Sequence, residues 1–300
     1  MRSITLNGAL LGYRGRDALK QKQKTKYPMM TARRIAPAQP PESVIALHCS
    51  GAGSSQWQRL ADLLGDGYEL RAPEHYGCES AGPWTGEHPF TLADEAARTL
   101  ALIDGTDRKV HLVGHSYGGG VALHVALARP GRIASLSLYE PSAFHLLRQI
   151  GGGAAAFAEI RSVAYAIATG VVVGDYRRAA ITFVEYWSGH GAWNALRPAV
   201  QAALIAWMPK APLDFNALFG EPEMPAAYAR VDCPVLVMRG ERAPAPTQII
   251  AETLPSLMRD AQRRVVAGAG HMGPLTHADQ VNALIASHVA SAVRPARRAA

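Results

Sequence analysis

Three cysteines in 300 residues, Cys49, Cys78 and Cys233, are an odd number with no CxxC pair. That argues against a disulfide or zinc framework, and it fits a reducing compartment. Long apolar runs are missing too. The most apolar stretch, "SVAYAIATGVVVG" at 162–174, is closed by Arg161 and Asp175 and falls short of the roughly 20 residues a membrane span needs. No secretory hydrophobic region follows Met1. The glycines at 118–120 have no Lys-Ser/Thr neighbour and no distal acidic partner, so no nucleotide site is expected. No residues stand at metal-ligand spacing, and neither a metal nor a cofactor is expected. No internal repeat is evident.

Charge is sparse, at 18% of residues, while 48% are hydrophobic; this is the composition of a folded chain. The net charge of +7 suggests a nucleic-acid binder until its distribution is read. Residues 1–40 hold nine Lys or Arg against Asp17 alone, and Arg294, Arg297 and Arg298 sit at the other end, so residues 41–293 are near −4. The positive charge belongs to a basic N-terminal segment (1–40), expected to be flexible, and a short basic tail (294–300). Nucleic acid is therefore not an expected partner. A cytoplasmic protein is expected, with an organelle transit peptide or a start at Met29 or Met30 as alternatives.

Short β-rich runs at 43–48, 68–73, 109–115, 133–140, 233–240 and 263–270 alternate with helix-like segments at 55–65, 90–103, 117–129 and 276–292. The first runs are continuously apolar, as in strands buried on both faces. The alternation predicts an α/β fold with a mostly parallel central sheet and right-handed crossovers. The regularity breaks between about 141 and 230, where an Ala-rich, aromatic stretch reads as a helical insertion. The expected organisation is a core of 41–140 and 231–293 with a helical cap at 141–230.

The segment "KVHLVGHSYGGGVALHVALARP" at 109–130 sets a strand directly against Gly-x-Ser-x-Gly and a helix. A residue at that junction must turn sharply, usually with positive φ, and Gly114 and Gly118 remove the side chains that would collide there. Ser116 is thereby pushed into the crevice at the strand's carboxyl end, beside the positive end of a helix. The Tyr117 backbone N–H is placed to donate to an oxyanion. This is a nucleophile-elbow pattern.

With this elbow, the early "LHCSGAGSSQW" and the late "GAGHMGPLTHAD", the chain resembles the α/β-hydrolase fold family, serine hydrolase branch, over roughly 43–290. The resemblance implies a second oxyanion N–H at Ser50, with Cys49 standing where the family usually has glycine. It implies a base on the loop after the last strand, where His271 fits and His277 is the competitor. His48 reads as structural, and "APEHYGCESAG" at 72–82 as a loop packed beside the elbow. The family's acid often follows a Gly-x-x-Asp pattern after the penultimate strand, but here Ala243 occupies that position. Glu140, closing the strand before the insertion, is the expected acid; Glu241 is the alternative, and no acid at all is a third case. The implied activity is hydrolysis of an ester or related acyl bond of a small apolar substrate, most simply a carboxylic ester. Carbon–carbon hydrolysis or cofactor-free haloperoxidase chemistry is one alternative. A catalytically silent fold serving as a ligand-binding module is another. Substrate identity and oligomeric state are not legible.

Overall fold

The computed structural model describes residues 40–292; nearly all of the basic segment at 1–40, and the tail at 294–300, lie outside the described residues. Six strands, β1 (Glu42–Leu47), β2 (Tyr68–Arg71), β3 (Val110–His115), β4 (Ile133–Tyr139), β5 (Val235–Gly240) and β6 (Ala261–Val266), form one sheet in the order β2-β1-β3-β4-β5-β6. Every neighbouring pair is parallel. Strand order reverses at β1 and β3, so a crevice opens beyond the carboxyl ends of those two strands.

Helices α1 (Gln58–Leu64), α2 (Leu92–Asp104) and α3 (Tyr117–Ala128) follow β1, β2 and β3 in turn. Between β4 and β5 lie α4 (Gly153–Val172), α5 (Tyr176–Ser188), α6 (Ala192–Ala195), α7 (Pro198–Trp207) and α8 (Ala211–Gly220). Helix α9 (Ala245–Leu257) joins β5 to β6, and α10 (Gly273–Thr276) with α11 (Ala278–Ala292) follows β6.

Alternation along the strands builds a core on each face of the sheet. In β1, Ile45 and Leu47 join one cluster with Leu112 and Val121, whereas Val44 and Ala46 join the other with Val113 and Val281. All six residues of β3 are buried, which is why its sequence is a nearly continuous apolar run. Each fully buried Leu, Ile or Val contributes about 1.5–3 kcal/mol. Helix α2 begins at a capping box in which Thr91 and Asp94 satisfy each other's backbone N–H groups. The edge strand β6 exposes Arg263 and Arg264, charges that discourage a further strand from pairing there.

Two features differ from expectation. Helix α9 was not visible in sequence because "APTQIIAETLPSL" carries Pro246 and Pro255 with β-branched residues. Pro246 stands in the first helical turn, where no intrahelical N–H bond is lost, and Pro255 in the last. Residues 162–172 of the apolar stretch at 162–174 lie in α4, whose 20 residues make it long and apolar enough to cross a membrane by length and composition. It packs against α5, α8 and α9.

Five buried histidines add a pH dependence. Burial pushes His111 down to about 4 and His145 and His75 to about 4, and it also lowers His115 and His288. These rings stay neutral in the folded chain, whereas the unfolded chain takes up protons below about 6.5. Stability should therefore be full above that pH and decline as pH falls toward 4, by about 3 kcal/mol for a group such as His111. Urea midpoints at pH 7.5 and pH 5 should show the decline, and His111→Asn should make it shallower.

Candidate active site

At the end of β3, extended backbone becomes helix within one residue. That residue is Ser116, with φ 54° and ψ −116°, a conformation that a residue with a Cβ rarely adopts. Its N–H donates to the Tyr139 carbonyl at 3.0 Å, and its carbonyl accepts the N–H groups of Gly120 and Ser142, each at 3.0 Å. The flanking glycines are required by close approach. A Cβ on Gly114 would lie 2.5 Å from the Gly118 carbonyl oxygen, and one on Gly118 would lie 2.5 Å from that of His48.

His271 arrives from the loop after β6. Its Nε2 lies 2.8 Å from Ser116 Oγ and its Nδ1 lies 2.7 Å from Glu140 Oε2. An ionised carboxylate only accepts, so Nδ1 carries the proton and Nε2 presents its lone pair to the hydroxyl. Glu140 directly follows β4 with φ 42°. Its Oε1 accepts the Gly240 N–H and its Oε2 the Thr247 hydroxyl, both at 2.8 Å. Ser116, His271 and Glu140 are 6%, 2% and 0% exposed, so the chain of bonds is shielded from competing water.

The other candidates fall elsewhere. Glu241 sits in an exposed turn and accepts the Gly268 N–H at 2.8 Å. His277 hydrogen-bonds the Thr276 hydroxyl at 2.9 Å just before α11. Tyr117 is the first residue of α3, so its N–H has no intrahelical acceptor. Ser50 lines the same cavity as Ser116 and Tyr117.

Three side chains at the site were not anticipated as site residues. Ser142 Oγ lies 3.2 Å from Ser116 Oγ; its place two residues after Glu140 in "YEPSAF" is its one sequence signal. His115, kept neutral by burial, bonds through Nε2 to the His271 carbonyl at 2.9 Å and so fixes the backbone that carries the imidazole. Trp187 of α5 stacks on the His271 ring with centroids 4.1 Å apart. Nothing local in the sequence links those two positions.

The cavity at Ser116 has walls that include Phe144, Phe183, Trp187, Trp207 and Phe215. One wall is polar. Ser50 Oγ donates to Asp214 Oδ2 at 2.6 Å, and Lys210 bridges Asp214 to Glu95, the latter at 2.9 Å. The Tyr117 hydroxyl donates to Glu95 Oε2 at 2.8 Å. Burial works against ionisation of all three charged groups, but their partners divide the result. Asp214 is left above the usual carboxylate range, whereas His75 and Lys210 hold Glu95 well below it. Two carboxylates outweigh burial for Lys210 and raise its ammonium. This network ties the insertion, through Lys210 and Asp214, to α2, to α3 and to the loop after β1.

The close packing of the elbow has a direct consequence. Gly118→Ala forces a methyl against the Leu47 and His48 carbonyls, so it should destabilise the protein by about 3 kcal/mol, the upper part of the range for overpacking. The urea midpoint measures the loss.

A family model described as "Alpha/beta hydrolase family" matches residues 44–284. Over 103 residues the chain is 36% identical to Lipase LipV of Mycobacterium tuberculosis, a match covering 34% of this chain and 38% of the lipase. The chain spans about a third of the length of the curated relatives it matches. Among solved structures, a hydrolase from Pseudomonas aeruginosa superposes with a TM-score of 0.67 at 22% identity, covering 84% of this chain and 91% of that one. MenH from S. aureus superposes with a TM-score of 0.68 at 14% identity, covering 86% and 97%. The matched span takes in most of β1, the Ser116 elbow, Glu140 and His271, and the chain belongs to the alpha/beta hydrolase family.

Proposed function

We propose that this protein is a serine hydrolase that cleaves an ester or related acyl bond of a small apolar substrate through an acyl-enzyme. The observation that carries this reading is the unbroken hydrogen-bonded chain from Glu140 through His271 to Ser116 Oγ, opening on an aromatic cavity. In the proposed reaction Ser116 Oγ attacks the acyl carbon while its proton passes to His271 Nε2. Glu140 holds the Nδ1–H tautomer and offsets the charge of the imidazolium that forms. The backbone N–H groups of Tyr117 and Ser50 receive the negative oxygen, aided by the N-terminal end of α3. Collapse of the tetrahedral intermediate expels the alcohol, which takes the proton from His271. A water then repeats the sequence and frees the acid and Ser116.

The aromatic walls favour an apolar acyl or aryl group. Helices between β4 and β5 supply Phe183, Trp187, Trp207 and Phe215 to that cavity, which supports a cap role for residues 141–230. With Trp187 stacked on it, the imidazole is screened from bulk water, and a proton on Nε2 goes to the leaving group instead of to solvent. The mechanism calls on no cofactor and on a small-molecule substrate alone.

Turnover of a short p-nitrophenyl ester by three proteins tests the assignment. Glu140→Gln should lower kcat by about 10⁴-fold, the loss that follows when a triad acid becomes an amide, while Glu241→Gln should match the parent. Parental turnover in Glu140→Gln would contradict it.

A further inference from the structure

Away from the Ser116 cavity, three side chains of different chemistry converge beside the loop after β1. His48 ends β1's extension into that loop, and Glu74 and Cys78 come from the 72–82 loop after β2. Glu74 Oε2 lies 3.2 Å from His48 Nε2, and Cys78 Sγ lies 3.8 Å from the same nitrogen. The three donor atoms all fall within 4.8 Å of one another. Donors around a tetrahedral zinc, with bonds of about 2.0–2.3 Å, stand about 3.4–3.6 Å apart.

The hydrogen bonds around these atoms leave the site-facing ones free for an ion. His48 Nδ1 lies 2.9 Å from the Cys49 carbonyl, which can only accept, so Nδ1 bears the proton. The other nitrogen, His48 Nε2, has only a long contact of 3.3 Å with the His75 N–H from the backbone. Glu74 Oε2 lies 3.2 Å from that nitrogen, an ion pair when the ring is protonated, and has no hydrogen-bond partner besides. A divalent cation would take the place of a proton between this nitrogen and this oxygen, with the Cys78 sulfur alongside. The supports that orient metal ligands are also present. The Cys49 carbonyl fixes the His48 ring, and the Ser54 N–H donates to Glu74 Oε1 at 2.9 Å.

We propose that His48, Glu74 and Cys78 form a binding site for a zinc-type divalent cation, separate from the Ser116 cavity. The ion takes His48 Nε2, Glu74 Oε2 and Cys78 Sγ, and the long His75 contact gives way. The Cys78 thiol, which donates to the Ala52 carbonyl at 3.5 Å, loses its proton to solvent as the metal–sulfur bond forms. Glu74 and Cys78 also line a surface cleft with Gly51, Gly53 and Gly77, from which the ion enters and a water completes four-coordination. One nitrogen, one oxygen and one sulfur suit zinc or cobalt better than magnesium or calcium, which prefer oxygen alone. Bound there, the ion ties the loop holding Ser50 to the loop after β2.

The full chain, stripped with a chelator and dialysed, is titrated with cobalt(II) and followed by its thiolate-to-cobalt absorption. One cobalt per chain with that band is expected. The band should vanish in Cys78→Ser and persist in Cys233→Ser, with circular dichroism reporting that each variant is folded. Glu74→Gln keeps the thiol and should weaken binding at least about tenfold. If Cys78→Ser does not fold, the Glu74→Gln affinity decides alone. Absence of the band in the parent, a band at full strength in folded Cys78→Ser, or unchanged affinity in Glu74→Gln overturns the proposal.

Discussion

Among the described residues, only Ser116 and Glu140 hold positive φ without being glycine, at 54° and 42°, and they follow the adjacent strands β3 and β4 directly. Such backbone costs on the order of 1–3 kcal/mol per residue and persists only where its surroundings over-determine it. The surroundings here can be named. The Tyr139 carbonyl and the N–H groups of Gly120 and Ser142 hold Ser116, and the Met238 carbonyl accepts the Glu140 N–H at 2.8 Å. The sheet thus aims a hydroxyl and a carboxylate from neighbouring strands at one point, where the loop after β6 inserts an imidazole between them. Every other feature of the site either maintains that point or surrounds it.

The insertion between β4 and β5 is bound to the core in two chemically distinct ways. Trp187 stacks on the His271 ring at an interplanar angle of 29°, an apolar contact that also limits water at the imidazole. Lys210 reaches Glu95, which also accepts the Tyr117 hydroxyl, and Asp214 accepts the Ser50 hydroxyl, all in charged hydrogen bonds. Removing one member of such a group leaves an uncompensated buried charge and costs about 3–5 kcal/mol. Because Ser50 is one of those partners, the same network sets the loop that would supply the second oxyanion donor. Packing and electrostatics of the insertion therefore bear on the His271 ring and the Ser50 loop as well as on stability.

Much of this was legible in the amino-acid order. Strand-period runs located all six strands, and the final one ends early, at Val266, because the glycines that follow form a turn with Gly268 at φ 69°. The elbow marked Ser116 through Gly114 and Gly118, whose missing side chains are demanded by backbone contacts that periodicity can register. Glu140 emerged from a departure: Ala243 left the usual acid position vacant, and a strand-end carboxylate was at hand. Trp187 over His271 and the Lys210–Asp214–Ser50 network stayed hidden, because such pairings between distant segments leave no local signature. The pairing of His48 with Glu74 and Cys78 was hidden for the same reason, since the ligands come from two loops and no short spacing unites them.

The central claim is that His271 makes the Ser116 oxygen nucleophilic at neutral pH. Labelling with a fluorophosphonate, followed by peptide mass mapping, tests it without knowledge of the natural substrate. The account predicts one adduct per chain, on the peptide containing Ser116, formed rapidly in the parent and slowed by orders of magnitude in folded His271→Ala. An adduct on any other residue, or equally fast labelling without the imidazole, would contradict it.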